Sequence, residues 1–340
     1  MCGCYTISQA DRLAEAYREI ERKELLAPRF NVAPAQEVPV VLDESPEVLS
    51  GAKWGLIPLW AKEKKIGSYL ITMALLLITV IAGAADADLP PFAPGVHTIK
   101  FTESSQQSDA EEMKYRLHSV EDPGPFDISQ ARFQLLVPKN YRPEEAWGMF
   151  IWISPSDSPK IPADWEAVIA ARKLLFVGAF QSGNPRNIFD RMRMAVDANV
   201  GMRKRYRIDP QRVYISGFSG GARVASMLGV AFPDLFTGTI PFMGVNFYTE
   251  LPAENGKRLG IDYIPDDQAL AIAKKQCRYV LVTGEKDFNR VETHSAEENG
   301  FRKEGFTSVL CLEVPGLGHS IPPAEWLEKG LEFLDAGKAR

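Results

Sequence analysis

A serine stands at the centre of Gly217-Phe218-Ser219-Gly220-Gly221. Nucleophilic attack on a carbonyl needs a hydroxyl held proud of the surface, next to a base. A sharp strand-to-helix turn presents it so, and glycines on either side remove the Cβ atoms that would collide there. The neighbours suit that turn. Val213–Ser216 is a short β-branched and aromatic run, and Ala222–Phe232 is helix-forming. The helix that follows would aim its first N–H groups at the reacting oxygen.

A serine nucleophile needs a base, and the base needs an acid to orient it. On a strand–turn–helix scaffold they follow in the chain order serine, acid, histidine, on loops that leave strands. Two histidines follow Ser219. His319 lies in the glycine-rich loop Pro315-Gly316-Leu317-Gly318-His319-Ser320, just beyond a strand-like run. His294 lies within a helical stretch and reads as a surface residue, so His319 is the favoured base. Asp287, in Gly284-Glu285-Lys286-Asp287, lies beyond another strand-like run and is the favoured acid. Glu285 is the alternative acid, and Asp287 could instead be a helix N-cap.

The elements that must position these loops alternate. Strands are expected at Phe133–Val137, Met149–Ser154, Leu174–Ala179, Val213–Ser216, Thr239–Met243, Tyr279–Thr283 and Val309–Val314. Helices are expected at Ala163–Arg172, Ile188–Tyr206, Ala222–Phe232, Gln268–Lys275, Glu292–Glu304 and Ala324–Leu334. Buried apolar strands that alternate with helices imply an α/β class: a mostly parallel sheet covered on both faces.

RVYISGFSGGARVA, VTGEKDFNR and VPGLGHSIP together resemble the α/β-hydrolase superfamily, nearest to secreted polyhydroxybutyrate-depolymerase-like or feruloyl-esterase-like enzymes. The resemblance implies Ser219 as nucleophile, Asp287 as acid and His319 as base. It also implies an acyl-enzyme intermediate, no cofactor, and a small or polymeric ester as substrate. The first oxyanion donor would be the N–H of Gly220. The second usually comes from a His-Gly loop after an early strand. Here that place reads Ser154-Pro155-Ser156-Asp157. Proline has no N–H, which leaves Ser156 as the expected donor. Residues 245–276 would cap the site, with Phe247, Tyr248 and Tyr263 either lining a pocket or packed as core. A hydrolase-fold protein that only binds is a further reading, given the unusual oxyanion loop.

The chain has 340 residues and a formal net charge of −5. That is room for one large domain and a smaller segment, and the charge gives no reason to expect nucleic acid over the whole surface. Its four cysteines and four histidines show no metal-ligand spacing along the sequence, so no metal site is expected.

Tyr69–Ala85 is uncharged and apolar, follows Lys62, Lys64 and Lys65, and leads into Ala85-Asp86-Ala87. Basic flank, apolar run and small-x-small site are the parts of a signal peptide, here in mid-chain. The expected organisation is therefore 1–67, a bridge at 68–87, and the hydrolase at 88–340. Residues 69–87 would direct secretion or periplasmic export if they act as a signal. Otherwise the chain is membrane-anchored through 69–85, or cytoplasmic.

The first 67 residues carry a different chemistry. Met1-Cys2-Gly3-Cys4-Tyr5, Arg29–Gln36 and Trp54–Lys62 resemble the SRAP family, which caps abasic sites in single-stranded DNA. Removal of Met1 would leave Cys2 as a 1,2-aminothiol, which condenses with an aldehyde to a thiazolidine. A ring-opened abasic sugar offers that aldehyde, which makes Cys2 an alternative nucleophile. Cys4 stands where the family has a DNA-contacting arginine. Thr72-Met73-Ala74-Leu75-Leu76 replaces its Asn-Ala-Arg-Ala-Glu motif, and its later Glu and His motifs have no counterpart. These departures mark 1–67 as a truncated SRAP-like segment fused to the hydrolase, for which single-stranded abasic DNA is a partner only if the segment works alone.

Overall fold

The computed structural model describes residues 93–337, apart from the side chain of Glu254, together with the backbone of five strands nearer the N-terminus. The chain divides into two compact units, Cys2–Ala87 and Asp88–Arg340. In the first, Tyr5–Ile7 pairs antiparallel with Arg29–Val32. Ser45–Lys53 pairs with Glu19–Ile20 and Glu37–Leu42 on its two sides. Cys2, Cys4, Trp54–Lys62 and the apolar run at 69–85 lie outside the described residues. Among the described residues no helix is long and apolar enough to cross a membrane.

The second unit is built on an eight-stranded sheet. Its strands are β1 (Gly95–Ile99), β2 (Phe133–Val137), β3 (Trp147–Ile153), β4 (Leu174–Ala179), β5 (Ile208–Phe218), β6 (Gly238–Phe242), β7 (Arg278–Gly284) and β8 (Val309–Val314). They lie in the order β8-β7-β6-β5-β3-β4-β2-β1. Strand β2 runs antiparallel to both neighbours, and all the remaining pairings are parallel.

Strand β3 shows why the sheet needs cover on both faces. Side chains alternate across a strand, and both sets here are apolar. Met149, Ile151 and Ile153 enter one core, and Phe150 and Trp152 enter the other. The first core is closed by helices α1 (Ala110–Leu117), α3 (Ile188–Arg205), α4 (Gly220–Ala231) and α5 (Asp267–Gln276). The second is closed by α2 (Ala163–Ala171), through Trp165 and Ile169, and by α7 (Ala324–Asp335), through Leu327, Leu331 and Leu334. This is the α/β-hydrolase architecture.

Four elements depart from the sequence expectation. Strand β1 and helix α1 precede the first expected strand. Strand β1 is an edge strand that buries only Ile99, so its alternation is weak and pairing with β2 defines it. Strand β5 begins at Ile208, five residues early, because Ile208 pairs with Trp147 before an irregularity in the register. The helix expected at Glu292–Glu304 is α6 (Arg290–Ser295) followed by a π-helical turn, Ala296–Arg302.

Candidate active site

Strand β5 delivers Ser219 to the first turn of α4. Its backbone is held at φ 54°, ψ −120°, a left-handed conformation costly for a residue with a Cβ. The surrounding glycines explain how the turn closes. A Cβ on Gly221 would fall 1.9 Å from the carbonyl oxygen of Ile153 at the end of β3, and one on Gly217 would fall 2.5 Å from the backbone of Gly221. The glycines thus let β5, α4 and β3 converge beneath the serine. Ser219 N–H donates to Phe242 O at 2.9 Å, tying the turn to β6.

The three sequence-derived polar residues are brought together. The distance from His319 Nε2 to Ser219 Oγ is 2.9 Å, and from His319 Nδ1 to Asp287 Oδ1 it is 2.8 Å. The Asp287 side chain is fully buried and that of His319 is partly exposed. An acceptor-only carboxylate at Nδ1 fixes the proton there. Nε2 is then left to accept from the serine hydroxyl. Asp287 is itself oriented: Asn289 N–H donates to Oδ1 at 3.1 Å, and Thr283 Oγ1 donates to Oδ2 at 3.3 Å.

The alternative acid and base have other tasks. Glu285 accepts from Gly316 N–H at 2.6 Å, which anchors the loop that carries His319. That loop also crosses close to β7, where a Cβ on Gly284 would fall 2.3 Å from Leu317 O. His294 faces Glu313 on β8 and does not approach Ser219 through any hydrogen bond described.

Ser156, the expected second donor, lies in a local turn. Its N–H donates to Ser154 Oγ at 3.1 Å, and the two hydroxyls lie 3.0 Å apart. The amide expected to face a substrate oxygen closes a local turn instead. Phe247, Tyr248 and Tyr263 are core: all three are buried, and Phe247 and Tyr248 pack against Phe301 and Phe306.

Sequence reasoning missed three side chains around the serine turn and His319. Asn184, on the loop after β4, lies against Gly220. A Cβ there would fall 2.1 Å from Asn184 Oδ1 and 2.9 Å from Nδ2. Its loop is fixed by Asn184 N–H donating to Pro155 O at 2.9 Å. Buried Arg191 also binds this region, donating to Ser182 O at 2.7 Å and Ser154 O at 3.2 Å. Burial pushes its guanidinium down to about 10. Phe288 stacks on the His319 ring at 4.1 Å and is 76% exposed. Neither Asn184 nor Phe288 has a motif to reveal it. Asn184 is 35 positions from Ser219, and only the β4 loop brings it near.

The chain is similar to two different groups of known proteins. Residues 1–74 match the family model for SOS response associated peptidase (SRAP). The abasic site processing protein YoqW of Bacillus subtilis is 37% identical over 75 residues, 21% of this chain and 34% of that protein. The chain thus spans about a third of the length of the curated SRAP relatives it matches. Poly(3-hydroxyalkanoate) depolymerase C of Paucimonas lemoignei is 40% identical over 43 residues, 13% of this chain and 10% of that protein. Among solved structures, the feruloyl esterase module of Clostridium thermocellum, an S954A mutant in complex with sinapinate, superposes with a TM-score of 0.50. Its sequence identity is 13%, and the match covers 76% of this chain and 94% of that one. Residues 88–340 have the α/β-hydrolase fold, and the chain carries an incomplete SRAP-like segment before it.

Proposed function

We propose that the Asp88–Arg340 unit is a serine hydrolase of carboxylic esters. The observation that carries this reading is the hydrogen-bonded line from Ser219 Oγ through His319 to buried Asp287, at 2.9 and 2.8 Å. His319 Nε2 takes the Ser219 proton as Oγ bonds to the ester carbonyl carbon. The carbonyl π-bond opens to an oxyanion. Collapse expels the alcohol, which takes the proton from His319 and leaves an acyl-serine. Water, deprotonated by the same histidine, then releases the acid and restores the serine. Asp287 accepts from Nδ1 and stabilises the imidazolium.

The oxyanion forms at the N-terminus of α4, where the N–H of Gly220 is the first donor. Asn184, whose side chain lies against Gly220, supplies the second through Nδ2. It takes the place that sequence reasoning gave to Ser156. Phe288 offers an exposed aromatic face for the apolar part of the substrate. This reading is supported by the similarity of a short segment to a polyester depolymerase and by the fold shared with a feruloyl esterase.

A fluorophosphonate probe tests it. The expected outcome is one adduct per chain, mapped by mass spectrometry to the peptide that holds Ser219 and strongly reduced by His319→Ala. Labelling that is spread over other serines, or unchanged in His319→Ala, would remove the nucleophile from this account.

A further inference from the structure

A second cluster lies on the outer edge of the sheet, and the ester chemistry does not use it. His294 and Glu297 are three residues apart, a spacing that puts two side chains on one helical face. Between them the chain changes from α6 to the π-helical turn Ala296–Arg302, a form frequent at functional sites. Cys311 and Glu313 are two residues apart on β8, so both project from the same face of that strand. Strand β8 is outermost in the sheet and packs against the π-helical turn. The two pairs therefore meet.

One ligand atom each from His294, Glu297 and Cys311 lies within 4.8 Å of the others, and all three residues are half-buried. His294 Nδ1 is 3.8 Å from Cys311 Sγ. With Zn–N near 2.0–2.1 Å and Zn–S near 2.3 Å, the N···S edge of a tetrahedral site is about 3.6 Å. The pair is thus within a few tenths of an ångström of that edge. The other ring nitrogen is already committed, because Nε2 faces Glu313 Oε2 at 2.6 Å. A carboxylate behind a histidine holds the proton on the far nitrogen and turns the lone pair of the near one toward a metal. Arg302 occupies Glu297 Oε1 at 2.6 Å, which leaves Oε2 for an ion, and Arg290 braces Glu313 at 2.7 Å.

We propose that His294, Glu297 and Cys311 form a site for a borderline-soft divalent cation of the zinc class, with Glu313 orienting His294 and the fourth position left to water. Binding exchanges the Cys311 thiol proton for the ion and releases one proton to solvent, with no change of oxidation state. The ion would clasp edge strand β8 to α6 and the π-helical turn.

Cobalt(II) is the probe, because its bond to a thiolate gives a charge-transfer absorption. The full chain carries Cys2→Ser and Cys4→Ser, so that thiols of the N-terminal segment do not contribute. One equivalent of cobalt should bind with that absorption, and zinc should displace it. Cys311→Ser should abolish the band. Glu313→Gln should keep the band and weaken binding about 10–100-fold, the usual effect of losing such a supporting carboxylate. Glu297→Gln, a conservative change, should also weaken binding with the band retained, and far-UV circular dichroism checks that each variant is folded. No saturable binding, or an equal band in folded Cys311→Ser, would overturn the site. Ester turnover in Cys311→Ser should match that of the parent chain, so this test stands apart from that of Ser219.

Discussion

Ser219, Asp287 and His319 are legible in the sequence because each lies in a short glycine-marked turn beyond an apolar run, in the required chain order. Their supports are not. Thr283 and Asn289 flank Asp287 without any pattern that singles them out, and Asn184 reaches Gly220 only through a loop after β4. Ser156 was expected as a donor from its place after Pro155, but a free hydroxyl two residues back captures its N–H. Local competition of this kind is typical of Ser-x-Ser turns. The residue-scale prediction concerns its replacement. Asn184→Ala should lower kcat for an activated ester about 100-fold, the usual cost of one oxyanion donor, and leave KM within about threefold. Steady-state kinetics check this. An unchanged kcat would take Asn184 out of the oxyanion site.

The elements follow hydrophobic pattern wherever both faces are buried. Strands β2 and β4 begin and end where the apolar runs do. The pattern fails at β1, where only Ile99 is buried, and at the π-helical turn. There Gly300 lies against Phe247, at 2.9 Å for a built Cβ, and Phe301 fills the core. Such a contact depends on residues some fifty positions apart and leaves no local trace. The join of β5 and α4 is the element whose geometry matters most to Ser219. Gly221→Ala would drive a methyl group into the backbone oxygen of Ile153. That oxygen belongs to a central strand and cannot move aside. The variant should lose about 1–3 kcal/mol of stability or more, as overpacked sites do, and most of its ester turnover. Denaturant melts would show it, and a midpoint equal to that of the parent would contradict the packing described.

The whole chain joins two unequal parts. The Asp88–Arg340 unit has a continuous sheet and two cores, and it brings Ser219, His319 and Asp287 together. The SRAP-like segment spans about a third of the curated relatives it matches. With Met1 removed, its Cys2 would offer an aminothiol without the family's later Glu and His motifs. Proximity and orientation commonly supply several kcal/mol of rate enhancement, and a bare aminothiol has neither. The full chain should therefore crosslink to single-stranded DNA with an abasic site no faster than a free N-terminal cysteine peptide does, as judged by denaturing gels. A crosslink formed within minutes and lost in Cys2→Ala would make abasic-site chemistry a function of this protein.

The proposed ester hydrolysis stands on attack by Ser219 with His319 as base. Hydrolysis of p-nitrophenyl acetate by the full chain, Ser219→Ala, His319→Ala and His294→Ala tests it most directly. Turnover by the full chain should fall by several powers of ten in the first two variants, as it does when one member of a nucleophile–base pair is lost, and stay within about twofold in the third, since His294 faces Glu313 and not the serine. Wild-type turnover in Ser219→Ala, or equal loss in the two histidine variants, would contradict the account.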